Sequence, residues 1–298
     1  MRGINRVRAQ RLTRSGGRFL HMDLASAELR YRKALRLDPS SHVAWFDLGL
    51  VCKWTQRWEE AFDCNLRATE LIGEKLGEPA WWNLGIAATA LHRWPAARRA
   101  WRVYGVDLPD GDGPVEADLG RAALRLNPTA EVVWGHRIDP ARIRVACIPT
   151  PESGHRWGDV VLHDGEPRGR RAFDEGLRPV FDELARWAQS EVPTIQASVS
   201  AAQVAEVDEL VTRLVEAGHE AEDWTRTLRM LCPGCSLADG GGHDHDHDHD
   251  GEPGDDPDRV HRLGIAGPLG PVTLILDAWR SDGPQRRCHD IATAEDGD

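Results

Sequence analysis

A set of Trp, Gly and Ala positions that returns after about 34 residues limits what the first third of this chain can become. Ala27, Tyr31, Ala34 and Pro39 close one copy. Trp45, Leu48, Gly49, Ala61 and Ala68 form the next, and Trp81, Leu84, Gly85 and Ala97 a third. Ala34 to Ala68 is 34 residues and Trp45 to Trp81 is 36, so one connection carries two extra residues. A unit of this length cannot bury its apolar face alone, so the pattern calls for stacked supersecondary units.

Within each copy the apolar spacing is helical. The middle copy predicts one helix over His42–Trp54 and a second over Trp58–Leu71, stopped by Gly73 and Gly77. The next predicts helices over Glu78–Leu91 and Pro95–Tyr104, with Pro95 at a first helical position where its missing N–H costs nothing. Gly49, Ala61, Gly85 and Ala97 let paired helices approach, while Trp45, Leu48, Trp81 and Leu84 fill the space between them.

The W-x2-L-G … A-x6-A pattern over residues 8–106 resembles the tetratricopeptide repeats of bacterial proteins, in about two and a half copies. Cys52, Ala88, Asn65 and Tyr104 depart from that family's usual residues, and the first copy lacks the Trp and Leu-Gly signature. The resemblance implies a short superhelix whose concave groove holds a protein partner. Carried onto this chain, the groove residues are Val43, Phe46, Leu50, Lys53, Trp54, Trp82, Ile86 and Thr89. An apolar stripe at helical spacing serves equally well as core, so packing against the rest of the chain competes with an open groove.

Composition changes at Gly105. Residues 107–130 read as a linker, with the turn-rich DLPDGDGP at 107–114 and a short helix over Val115–Leu126 before Asn127-Pro128. From 131 to 298 the period shifts toward strands: Glu131–Ile138, Arg142–Ile148, Trp157–His163 and Thr194–Ser200. Ala201–Ala217 reads as an amphipathic helix with Val204, Val207, Leu210, Val211 and Leu214 on one stripe, and Val272–Leu276 as a late buried strand. The expected fold class is therefore α+β: N-terminal helical hairpin repeats, then an α+β domain with a mostly antiparallel sheet.

No catalytic motif stands out, so no enzyme is expected and no catalytic residue is assigned. His155, Asp159 and His163 invite a metal-site reading. On a straight strand, however, Asp159 and His163 lie about 13 Å apart, beyond what metal bonds near 2 Å can span. Cys147, in a Val-Ala-Cys-Ile run, reads as a small buried residue.

Metal chemistry has a better claim later in the chain. Cys232-Pro-Gly-Cys235 precedes His243, His245, His247 and His249, which alternate with Asp. Thiolate and imidazole are good ligands for zinc, and imidazole for nickel, so these six residues are the candidate metal ligands. The spacing matches no known zinc finger. Residues 239–258 hold nine acids and no Lys or Arg, which predicts a disordered acidic loop. Zinc or nickel handling is accordingly the alternative function.

The charge is unevenly distributed. The net charge is -11, yet residues 1–106 hold 18 Lys and Arg against 10 Asp and Glu, for +8. Residues 1–22 form a basic arm or first helix with Arg2, Arg6, Arg8, Arg11, Arg14 and Arg18 and no acid. Without interleaved aromatics or a recognised motif, the arm reads as a solvated helix, or one lying on the acidic half, rather than a nucleic-acid site. No apolar run reaches membrane-spanning length and the start lacks a signal-peptide core, so a cytoplasmic protein with no membrane contact is expected. The leading expectation is a protein-binding adaptor.

Overall fold

The computed structural model describes residues 2–173, 176–226 and 260–294. It divides into two compact units: one runs to Leu119 and includes Ile138–Ala141, the other comprises Gly120–Arg137 and the chain from Arg142 onward.

The first unit is built of helical hairpins: α1 (Arg2–Gly17) with α2 (Leu24–Leu37), α3 (His42–Trp54) with α4 (Trp58–Ile72), and α5 (Pro79–Ala90) with α6 (Trp94–Tyr104). Their ends follow from local chemistry. Asp23 accepts the Ser26 N–H to cap α2, and Ser41 caps α3 through Ala44. Gly105, at φ 112°, ends α6 in the left-handed conformation that only glycine adopts cheaply. The predicted bounds of α3 to α6 agree with the observed ones to within a residue. The first copy, without its Trp, still supplies a full helix in α1.

Small residues set the distance between helices. A Cβ on Gly49 would lie 2.6 Å from the Asn65 amide, and one on Gly85 would lie 2.6 Å from the Trp101 ring. Ala27, Tyr31, Ala34, Ala44, Leu48, Val51, Cys52, Ala61, Cys64 and Ala87 form one buried core through the stack.

The second unit holds two sheets. Strands β1 (Arg121–Arg125), β2 (Val132–Arg137), β3 (Arg142–Val145) and β4 (Val160–His163) run as an antiparallel meander. The long β6 (Gly176–Ala188) pairs with β4, with β5 (Arg170–Phe173) and, in parallel, with β1, which closes a barrel-like sheet. Alternate residues point inward. Ala122, Leu124, Val133, Ile143, Val145, Val161 and Phe181 fill the interior.

The second sheet comprises β7 (Thr194–Ser200), β8 (Glu220–Asp223), β9 (His261–Ala266) and β10 (Arg287–Thr293), in the order β10-β7-β9-β8 and wholly antiparallel. Helix α7 (Val204–Glu216) follows β7 and α8 (Leu269–Ser281) follows β9, giving the β-α-β-β-α-β arrangement of ferredoxin-like domains. Val207, Leu210 and Leu214 of α7 and Val272, Leu276 and Trp279 of α8 share a core with β7 and β9. An α+β architecture with a largely antiparallel second unit is therefore observed.

Two sequence expectations are overturned. Val115–Leu126 is not a helix, because Arg121–Arg125 hydrogen-bonds to β2 on one side and β6 on the other. Val272–Leu276 is not a strand. It lies inside α8, where Val272, Leu276 and Trp279 follow one another at helical spacing on the buried face.

Candidate functional site

The anticipated groove lies on α3 and α5. Val43 is exposed, while Phe46, Leu50, Trp54 and Trp82 are half-buried. Lys53, Ile86 and Thr89 are buried, and thus present no open surface. The Lys53 ammonium donates to Asn83 Oδ1 at 2.7 Å and so ties α3 to α5. Trp54 lies 5.6 Å from the His21 ring, and Trp82 packs edge-on against Trp101 and Tyr104, each at 4.8 Å. Both indoles are thus held by neighbours in their own unit. Asp47, on the same helix as the stripe, has no hydrogen bond or ion pair among the described residues, and burial pushes its carboxyl up to about 6.

An open cleft of about 550 Å³ lies on another part of the hairpins, among α4, α5 and α6. Trp81 and Leu84, both buried, form its floor, and Phe62, Leu66, Pro95 and Ala96 its walls. The extended connection between α4 and α5 contributes Gly73 and Glu74. The Trp81 indole N–H donates to the Gly73 carbonyl at 3.1 Å, so the floor has its polar atom satisfied. Arg99 pairs with Glu74 at 3.1 Å and lies over the Trp81 ring, while Arg93 stacks on Phe62. The charges at the rim are balanced and the interior is apolar, a setting for an uncharged anchor. Sequence reasoning missed this cleft, although the 36-residue spacing was a signal of an irregular joint.

In the second unit His155, Asp159 and His163 do not converge. His155 contacts Glu183, Asp159 accepts the Arg156 and Ser190 amides, and the His163 ring lies 4.5 Å from Phe181. Among the described residues no group of three His, Cys, Asp or Glu is arranged to hold a metal. Cys147 sits in the barrel core and its sulfur accepts the Trp134 N–H.

The Glu183 carboxylate also accepts the Asn127 N–H at 2.8 Å, and His155 Nδ1 faces the Ser153 carbonyl. Burial lowers the His155 pKa, but the hydrogen bond and charge of Glu183 outweigh it and the net shift is upward from 6.5. This arrangement holds the β-barrel turn in place and leaves no open access for a substrate: both side chains are over nine-tenths buried.

Cys232, Cys235, His243, His245, His247 and His249 lie outside the described residues. They fall in the connection from β8 to β9, whose two roots are joined by the Asp223–His261 contact at 2.6 Å. No described helix is long and apolar enough to cross a membrane. No known protein family matches this chain, and no curated relative matches it.

Proposed function

We propose that the hairpins are tetratricopeptide-like and that the protein is an adaptor, holding a segment of a partner polypeptide without catalysing a reaction. The observation that carries this reading is the apolar cleft over Trp81 and Leu84, open to solvent and walled by Phe62 and Leu66. Its size suits one large aliphatic or aromatic side chain and the backbone on either side of it. Aromatic and aliphatic anchors seated in such pockets dominate the energetics of protein interfaces.

The test is site-specific photo-crosslinking in the native host. A photoreactive residue at Leu66 should capture one defined polypeptide, and the same residue at exposed Leu29 should not. Leu66→Lys in an otherwise wild-type chain should release that partner on co-purification while the helical circular dichroism is retained. Equal capture from Leu29 and Leu66 would refute the assignment. If Trp54→Glu releases the partner and Leu66→Lys does not, the contact is the α3–α5 stripe.

A second reading is zinc or nickel handling by Cys232, Cys235 and the four tract histidines. What favours it is their concentration in a single connection between neighbouring strands, where ligands from one segment can gather on one ion.

A further inference from the structure

From sequence the arginines of α1 read as a solvated arm, or one lying on the acidic half, rather than a nucleic-acid site; the structure sets most of them on one exposed face. At 100° per residue, Arg8, Arg11 and Arg14, with Arg18 just beyond the helix end, fall within about 120° of one another, and Ile4 and Val7 continue the same face. Arg6 flanks it. Arg6, Arg8, Arg11, Arg14 and Arg18 are all exposed, as are Ile4 and Val7.

The helix cannot roll to hide this face. Its opposite side carries the buried Ala9, Thr13 and Gly16. A Cβ on Gly16 would sit 2.6 Å from the Tyr31 ring, so α1 lies close against α2 in one rotational setting.

Among the described residues the arginines are also left without acidic partners. Elsewhere in the stack the charge is matched locally: Arg32 pairs with Glu28, Arg57 with Glu28 and Glu60, Arg67 with Glu70, and Arg99 with Glu74. Arg6, Arg8, Arg11, Arg14 and Arg18 make no ion pair among the described residues, and the first acid in the chain is Asp23. Exposed Lys33 and Arg36 add further positive charge to the α1–α2 hairpin.

We propose that the outer face of α1 is a docking surface for the phosphate backbone of double-stranded DNA. Guanidinium groups suit phosphate oxygens, which they bind in a bidentate fork. Along the helix axis Arg8, Arg11 and Arg14 are spaced at about 4.5 Å, a rigid row that meets a line of phosphates without having to order first. The face carries no aromatic ring on which single-stranded bases could stack. For the 2′-hydroxyls by which duplex RNA is read across its minor groove, the face offers one half-buried hydroxyl, Ser15, with the amide of Gln10 at its edge. With two aliphatic residues against a row of cations, it lacks the apolar face that an interfacial membrane helix buries. Contacts to phosphate oxygens carry no base information, so the binding proposed is independent of sequence.

Fluorescence anisotropy with the full chain and a labelled duplex of about 25 base pairs tests the proposal through its salt dependence. Each arginine on a phosphate adds about 0.9 to the slope of log affinity on log salt, so R8Q/R11Q/R14Q/R18Q should flatten the slope by about 3 to 4. The same variant should lose at least about tenfold in affinity at low salt. The variant with Lys at the four positions keeps the slope and controls for folding, as do circular dichroism and melting. No duplex binding at low salt overturns the proposal, as does equal binding by the Gln variant. Tighter binding to duplex or single-stranded RNA, or to phosphatidylserine vesicles, overturns the choice of DNA.

Discussion

His155 Nε2 lies 3.0 Å from Glu183 Oε1, and its Nδ1 lies 2.9 Å from the Ser153 carbonyl, so both ring nitrogens face acceptors. A neutral imidazole has one N–H and satisfies one of the two; the imidazolium satisfies both. The site therefore favours the imidazolium, facing a carboxyl group 28 positions away in the chain.

The folded pKa of His155 lies above its ordinary 6.5, so the stabilisation it brings is complete below 6.5 and is lost as pH rises through the folded value. An NMR titration should place the ring's midpoint above 6.5; a midpoint at or below that value refutes the pair. Glu183→Gln leaves the buried ring without its counter-charge and should cost about 3 kcal/mol. Denaturant unfolding at about pH 6 and about pH 8 should show the wild-type difference shrinking in this variant.

Asp47 also lowers stability as pH rises, because its folded pKa too is raised. Its folded value near 6 exceeds the ordinary 3.8, so the charged form costs stability above about 6 and the cost disappears as pH falls toward 3.8. Asp47→Asn should therefore stabilise the first unit by about 1 kcal/mol at neutral pH and by almost nothing in mild acid. Thermal melts across this range check it, and a loss of stability at neutral pH would mean that the carboxylate has a partner.

Arg98 is buried on α6 and donates to the carbonyls of Pro109, Gly113 and Pro114 at 2.6, 2.7 and 2.9 Å. One guanidinium thus ties the turn-rich segment after α6 at three points. Arg98→Met should cost about 2 kcal/mol and open residues 107–114 to limited proteolysis. Arg98→Lys should fail to restore protection, because an ammonium cannot present the same fork.

Gly85→Ala drives a Cβ into the Trp101 ring, which is wholly buried and has no room to retreat. Overpacking of about 2 kcal/mol should outweigh the gain of about 1 kcal/mol in helix propensity, lowering the melting temperature. Gly3→Ala, with nothing within 4 Å of its Cβ, should be neutral or stabilising. If both variants melt alike, the close approach of α5 and α6 is wrong.

Untagged protein should be retained on immobilised nickel, since imidazole is a good nickel ligand. Replacing His243, His245, His247 and His249 with Ala should abolish retention. Zinc that co-purifies and is lost on replacing Cys232 and Cys235 would extend the site to the thiolates.

The helices were legible in the sequence because Trp45, Leu48 and Gly49 recur as Trp81, Leu84 and Gly85, fixing phase as well as period. The sheets were much less so. β6 contains Pro179, Asp182 and Glu183, which break the apolar alternation, yet pairing with β1, β4 and β5 overrides that local preference. β8 reads Glu-Ala-Glu-Asp, a charged edge strand that resembles a loop in a linear scan and discourages further pairing. A five-residue window made Val272–Leu276 look like a strand, whereas Trp279 completes the helical stripe three residues later. In the anticipated groove, helical spacing alone does not separate buried Ile86 and Thr89 from half-buried Leu50. The upward shift of His155 depends on residues far apart in the chain and has no local signature.

The joint between α4 and α5 is two residues longer than the 34-residue period and supplies Gly73 and Glu74 to the cleft. A strictly periodic stack is translationally degenerate: whatever fits one crevice fits the next, and a guest can settle in several frames. Lengthening one joint lifts that degeneracy. The array acquires an origin, a single place from which the position of everything held along it is counted.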